Sequence, residues 1–172
     1  VIGILGVGNI LLKDEGFGVK FVHVFRSKYS FPENVEVVDG GTAGMFLSSI
    51  IEKYKKLLII DVVNEDLPAG TVKVYEKEDF FLNRIPTKLS PHQLGLQEVL
   101  LLSEIMGKCP EEIKLIGVVP KEIEVGTELT PELERKLEEV EKLALKILEN
   151  WGVKYSIRRN SKPEVWWERK RF

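Results

Sequence analysis

Three side chains of this 172-residue chain carry donor chemistry at places where a fold could gather them: Glu15, Asp61 and His92. Each lies where an apolar segment or a connection gives way to a loop. Two carboxylates and one imidazole suit a borderline divalent ion such as zinc, nickel or manganese, and three protein ligands leave positions open for water or a substrate group. Asp39, at the end of another apolar run and followed by Gly40-Gly41, is a fourth candidate, either as a general base for water or as a group that orients a substrate. Plainer roles are open to all four. Glu15 could favour the positive end of a following helix, Asp61 could cap a loop, Asp39 could accept from loop amides, and His92 could be a surface imidazole.

The elements that must position these residues can be read from the apolar pattern. Val1 to Val7 is almost wholly apolar and breaks at Gly6-Val7-Gly8-Asn9, which predicts a buried parallel strand running into a tight loop. From Glu15 to Tyr29, Phe17, Phe21, Val24 and Phe25 recur at helical spacing. Val35 to Asp39 predicts a second strand, Thr42 an N-cap for a helix through Tyr54, and Leu57 to Val63 a third strand with Asp61 near its carboxyl end. Gly70 to Glu76 alternates, as an exposed antiparallel edge strand would. A helix from Leu94 to Met106 with Leu96, Val99, Leu100 and Ser103 on one stripe leads to a buried strand over Ile113 to Val119. A final helix starts at Thr130-Pro131, turns Leu133, Leu137, Val140, Leu143 and Ile147 inward, and stops at Gly152. The alternation predicts an α/β fold: a three-layer α/β/α sandwich with a mostly parallel twisted sheet and one antiparallel edge strand. In such sheets sites form beyond the carboxyl ends of the strands, where Glu15, Asp39, Asp61 and His92 can converge.

With 44% hydrophobic residues the chain can bury one good core, so residues 1–152 are expected to form a single domain. Residues 153–172 change character: Arg158, Arg159, Lys162, Arg169, Lys170 and Arg171 surround Trp166-Trp167. Such a basic, aromatic extension either docks on a partner or folds back on its own domain. A net charge of -2 gives no reason to expect nucleic acid. Cys109 is the only cysteine, which excludes an intramolecular disulfide and thiolate-rich zinc sites and favours a cytoplasmic setting. No apolar run is long enough for membrane insertion. Lys and Glu are abundant and Gln nearly absent, a balance found in proteins of hot-living organisms.

Other motifs carry less. The glycines at 6, 8, 16 and 18 do not have the dinucleotide spacing, and Asp14-Glu15 would repel a pyrophosphate, so they are read as permitting a tight turn and close packing. His23 falls on the first helix as a surface or partly buried residue, and Cys109 has no histidine near it in sequence. There is no Gly-x-Ser-x-Gly elbow and no His-Glu-x-x-His helix.

Taken in order, Gly6-Val7-Gly8-Asn9-Ile10-Leu11, Asp14-Glu15-Gly16-Phe17-Gly18, Asp39-Gly40-Gly41-Thr42-Ala43-Gly44, Ile59-Ile60-Asp61 and Ser90-Pro91-His92-Gln93 resemble the [NiFe]-hydrogenase maturation endopeptidases. Gly117-Val118-Val119-Pro120, Ile123-Glu124-Val125-Gly126 and Leu129-Thr130-Pro131 extend the likeness, which spans roughly residues 1–150 and leaves the extension after Gly152 unexplained. The resemblance implies an endopeptidase that removes a short C-terminal extension from a [NiFe]-hydrogenase large-subunit precursor after nickel insertion. The positions matching the family's metal-contacting residues are Glu15, Asp61 and His92, the trio picked out above by donor chemistry. It also implies that the metal is nickel supplied by the substrate, with no resident organic cofactor. Proton transfer stays open among Asp39, Glu15 and His92. The alternative is a non-proteolytic nickel chaperone or scaffold for the precursor on the same fold.

Overall fold

The computed structural model describes residues 1–42, 47–86 and 91–159, and of 91–95 the backbone alone. Four apolar runs form parallel strands: β1 (Ile2–Val7), β3 (Val35–Gly41), β4 (Lys56–Val62) and β6 (Glu112–Val118). β1 is buried at every position and β4 at all but Lys56, which is why neither alternates. β5 (Val72–Glu76) runs antiparallel along β6 at one edge, as its alternation predicts. The order is β3-β1-β4-β6-β5.

Helices cover both faces. After a 3-10 turn over Lys13–Gly16, α1 (Phe17–Lys28) packs with α6 (Leu137–Asn150) over Ile4, Ile60 and Ile116. On the other face α2 (Leu47–Ile51), α3 (Lys77–Phe81) and α4 (Pro91–Ile105) lie over Leu5, Ile59 and Leu115. The predicted stripe Leu96, Val99, Leu100 and Ser103 is the buried side of α4. Burying each such apolar side chain contributes about 1.5–3 kcal/mol relative to leaving it in water. The three-layer α/β/α sandwich is thus observed.

Some boundaries differ from those predicted. The final helix is split into α5 (Pro131–Glu134) and α6, because Arg135 and Lys136 interrupt the turn between them. The Thr130 side chain does not cap α5; it bonds elsewhere, as described below. α6 does stop short of Gly152, whose φ of +80 lets Val153 N–H reach the Leu148 carbonyl at 2.9 Å and its own N–H reach that of Glu149 at 3.0 Å. Of the helix expected from Thr42 to Tyr54, only Leu47–Ile51 is seen, and 43–46 lie outside the described residues. α4 starts at Pro91 instead of Leu94, a favourable first position for proline. His92 therefore belongs to the first helical turn and not to the preceding connection.

The start of the extension is tied to the domain. Val153 is in the core, and β7 (Ser156–Ile157) pairs antiparallel with β2 (Tyr29–Ser30). Arg158 donates its N–H to Lys28 O at 2.8 Å and its Nε–H to Tyr29 O at 3.0 Å, while Tyr155 stands edge-on to Tyr29. Residues 160–172, with Lys162, Trp166, Trp167, Arg169, Lys170 and Arg171, lie outside the described residues. Among the described residues, no helix is long and apolar enough to cross a membrane.

Candidate active site

β1 lies between β3 and β4, with Gly6 in register with Asp39 on one side and with Ile60 on the other. The chain reaches β3 through α1 and then crosses back over β1 to β4, so the connections diverge at the carboxyl edge of β1. That divergence opens the crevice in which doubly wound sheets bind ligands. The start of α1 is pressed onto this edge. A Cβ on Gly18 would collide with the Ile60 carbonyl and stand 2.6 Å from that of Val7, and one on Gly8, at φ +145, would collide with the Glu15 carbonyl. Only glycine lets these backbones approach so closely. The glycines do serve close packing, and the result is a 3-10 turn lodged against β4 with Glu15 fully buried.

Asp14, beside it, is equally buried and fastens the turn to the segment that follows β6. Its Oδ2 accepts the backbone N–H of Lys121 at 2.9 Å and of Glu122 at 3.0 Å; its Oδ1 accepts that of Thr130 at 2.8 Å. The Thr130 hydroxyl donates to the same carboxylate, 2.8 Å from Oδ2, which is why it is not free to cap α5. Lys13 N–H to Gly126 O and Gly126 N–H to Leu11 O, each 2.9 Å, fasten the same two segments. Lys20, buried within α1, donates to Thr127 O. At the surface Lys13 bridges Glu122 and Glu124, and these hydrogen bonds, Glu122's first, hold its ammonium above the ordinary lysine range.

Asp61 is fully buried on β4, and its Oδ1 accepts the Val62 N–H at 2.8 Å. Asp39 differs, with a side chain 33% exposed at the end of β3. It lines a cleft of about 280 Å³ together with Gly8, Asn9, Ile10, Leu11, Val19, Gly41 and Thr42. Its Oδ1 accepts the Gly41 N–H at 2.9 Å, which is the plainer of the roles open to it, and its Oδ2 lies 2.8 Å from His23 Nε2.

Glu15, Asp39 and Asp61 are thus brought to one edge of the sheet by three different elements. The side chain of His92 lies outside the described residues; α4, which carries it, packs on α2. Among the described residues, no three His, Cys, Asp or Glu side chains gather as a metal-holding group. Sequence reasoning missed Asp14, whose adjacency to Glu15 was the only signal, and placed His23 too near the surface: it is buried. Cys109 is half-buried, and burial pushes its thiol up to about 11, far from a nucleophile's range.

A mostly parallel sheet between two helical layers, with acidic side chains from three elements at its carboxyl edge and glycines that let the backbones pack closely there, defines an α/β protein with an acid-lined edge. Residues 19–147 match the hydrogenase maturation protease family. The chain is 39% identical over 154 residues to the hydrogenase 2 maturation protease of Escherichia coli, covering 87% of this chain and 92% of that one. It is 37% identical over 161 residues to the hydrogenase expression/formation protein HupD of Bradyrhizobium diazoefficiens, covering 93% and 83%. Among solved structures, the hydrogenase maturating endopeptidase HybD from E. coli superposes with a TM-score of 0.86 at 38% identity, over 93% of this chain and 99% of that one. The chain belongs to the hydrogenase maturation protease family, and is a peptide hydrolase.

Proposed function

We propose that this protein is a cytoplasmic endopeptidase that removes the C-terminal extension of a [NiFe]-hydrogenase large-subunit precursor, and that Glu15, Asp61 and His92 complete the coordination of the nickel that the precursor carries. The observation that supports this best is the burial of Glu15 and Asp61 together at the carboxyl edge, the one on a turn pressed against the strand that bears the other. A carboxylate withdrawn from water gains strongly from an arriving cation. Nickel here is part of the substrate. Gripping it would hold the neighbouring peptide bond in one place, a proximity effect, and a precursor without nickel would lack the contact that commits it to cleavage. On this reading Asp39, the acid exposed to the cleft, meets the peptide, as a base for water or as an acceptor that orients the chain.

The test is mass spectrometry of precursor incubated with this protein, with and without nickel. Loss of a C-terminal peptide from the nickel-loaded form alone is expected; an unchanged mass would sink the endopeptidase reading. A stoichiometric complex without peptide loss would point instead to a chaperone. Glu15→Gln and His92→Ala should each slow cleavage by about 100-fold or more, the size of effect expected for groups that act on the transition state. Full activity in both variants would refute the trio.

A further inference from the structure

His23 is a buried histidine in the helix that packs on the site, and its two ring nitrogens have different neighbours. Nε2 lies 2.8 Å from Asp39 Oδ2, and Nδ1 lies 3.0 Å from an Arg26 guanidinium nitrogen. A guanidinium has donors and no acceptor. Nδ1 must therefore accept, which puts the ring proton on Nε2, where it is donated to Asp39. The contact is the hydrogen bond of a neutral imidazole, although its spacing would also suit an ion pair.

The Asp39 carboxylate is consequently held from two directions, by Gly41 N–H on one oxygen and His23 Nε2–H on the other. Each carboxylate oxygen has two acceptor positions, so among the described residues these two donors leave one on each oxygen. Asp39 stands near the carboxyl end of an edge strand, next to two glycines, and within β3 its side chain is met by the Gly41 N–H on Oδ1, which leaves Oδ2 to be fixed from outside the strand. The rigid element that does so is α1, and within α1 Arg26 fixes the tautomer of the residue that does the holding. Exposure is divided accordingly: the Asp39 side chain is 33% exposed, that of His23 8%.

We propose that His23, with Arg26 behind it, is a positioning residue for Asp39, fixing the orientation in which that carboxylate meets the peptide in the cleft. The inference rests on the endopeptidase reading for its consequence, and on geometry alone for the hydrogen-bond relay. In the full-length protein, His23→Leu keeps apolar volume and removes the donor, while His23→Gln returns an amide N–H close to the place of Nε2. With nickel-loaded precursor, His23→Leu should lower kcat by about 10-fold or more with KM changed less than about threefold, and His23→Gln should recover most of the loss. In an Asp39→Ala background His23→Leu should cause no further loss, since the two residues act as one unit. Wild-type rates in His23→Leu, or an equal fall with and without Asp39, would overturn the proposal. If the wild-type protein leaves the precursor uncut, the endopeptidase reading falls, and the relay is judged by imidazole nitrogen NMR. A neutral ring protonated on Nε2 in the wild type, redistributed in Arg26→Leu, is expected. A ring protonated on Nδ1 in the wild type overturns it.

Discussion

At the scale of single residues, the group that most shapes the site is one without a chemical role of its own. Asp14 is fully buried and takes donors from Lys121, Glu122 and Thr130, so its carboxylate joins the turn bearing Glu15 to the segment that leaves β6. Asparagine has nearly the same shape but turns one acceptor into an NH₂ that would face N–H donors. Asp14→Asn should lose about 2–4 kcal/mol of stability, read from the urea midpoint at unchanged slope, and cleavage should fall with it because Glu15 is its neighbour. A loss under about 0.5 kcal/mol would show that the segment holds itself in place. The acids that carry the proposed chemistry were legible in the sequence because Asp39 and Asp61 end apolar runs and Glu15 stands just past the loop that follows β1. Asp14 and His23 were not, because what defines them is a partner: Thr130 for the one, 116 residues away, and Asp39 for the other.

At the scale of elements, the seat of α1 on the sheet decides where Glu15 stands. Gly18 meets the Ile60 and Val7 carbonyls with no space for a methyl group, and backbone oxygens on two central strands cannot swing aside. Gly18→Ala should cost about 1–3 kcal/mol from overpacking and should reduce cleavage by more than its effect on stability explains. Thermal melts paired with the precursor assay check this; a fully active, destabilised variant would show that the site tolerates a shifted helix. Helix faces were well read where one side is wet, as on α4. α1 misled because β3 and the segment around Thr127 cover sides that periodicity assigns to solvent, burying Lys20 and His23. The break between α5 and α6 left no mark in the pattern, since Leu133, Leu137 and Val140 keep helical spacing across it.

At the scale of the whole molecule, the ionisable groups set a stability plateau. Hydrogen bonds hold Glu65 (from Tyr75), Glu104 (from Lys77), Glu124 (from Lys13) and Glu132 (from Lys121) below the ordinary value of 4.5. Depressed carboxyl values stabilise the fold above 4.5, and that contribution disappears as pH falls through the folded-state values. In the other direction, burial first and then Glu36 or Glu65 raises the Tyr54 and Tyr75 hydroxyls above 10.0, a contribution present below that value and lost as pH rises past it. Calorimetry should therefore find Tm nearly level between about pH 5 and 9 and falling on both sides; a Tm that climbs as pH drops below about 4.5 would contradict the assignment. Each exposed carboxylate contributes little by itself, so the acid limb should be gradual.

The bond from Thr130 to Asp14 closes a loop of 116 residues. Bringing together the ends of so long a segment costs about 4 kcal/mol of chain entropy, which is recovered only when both ends are already structured. The carboxylate next to Glu15 is thus secured late in folding, after the strands between have paired. During synthesis Asp14 emerges long before Thr130, so the turn it belongs to waits for nearly the whole domain before it is fastened. A half-made chain holds Asp14 without any of the partners that secure it.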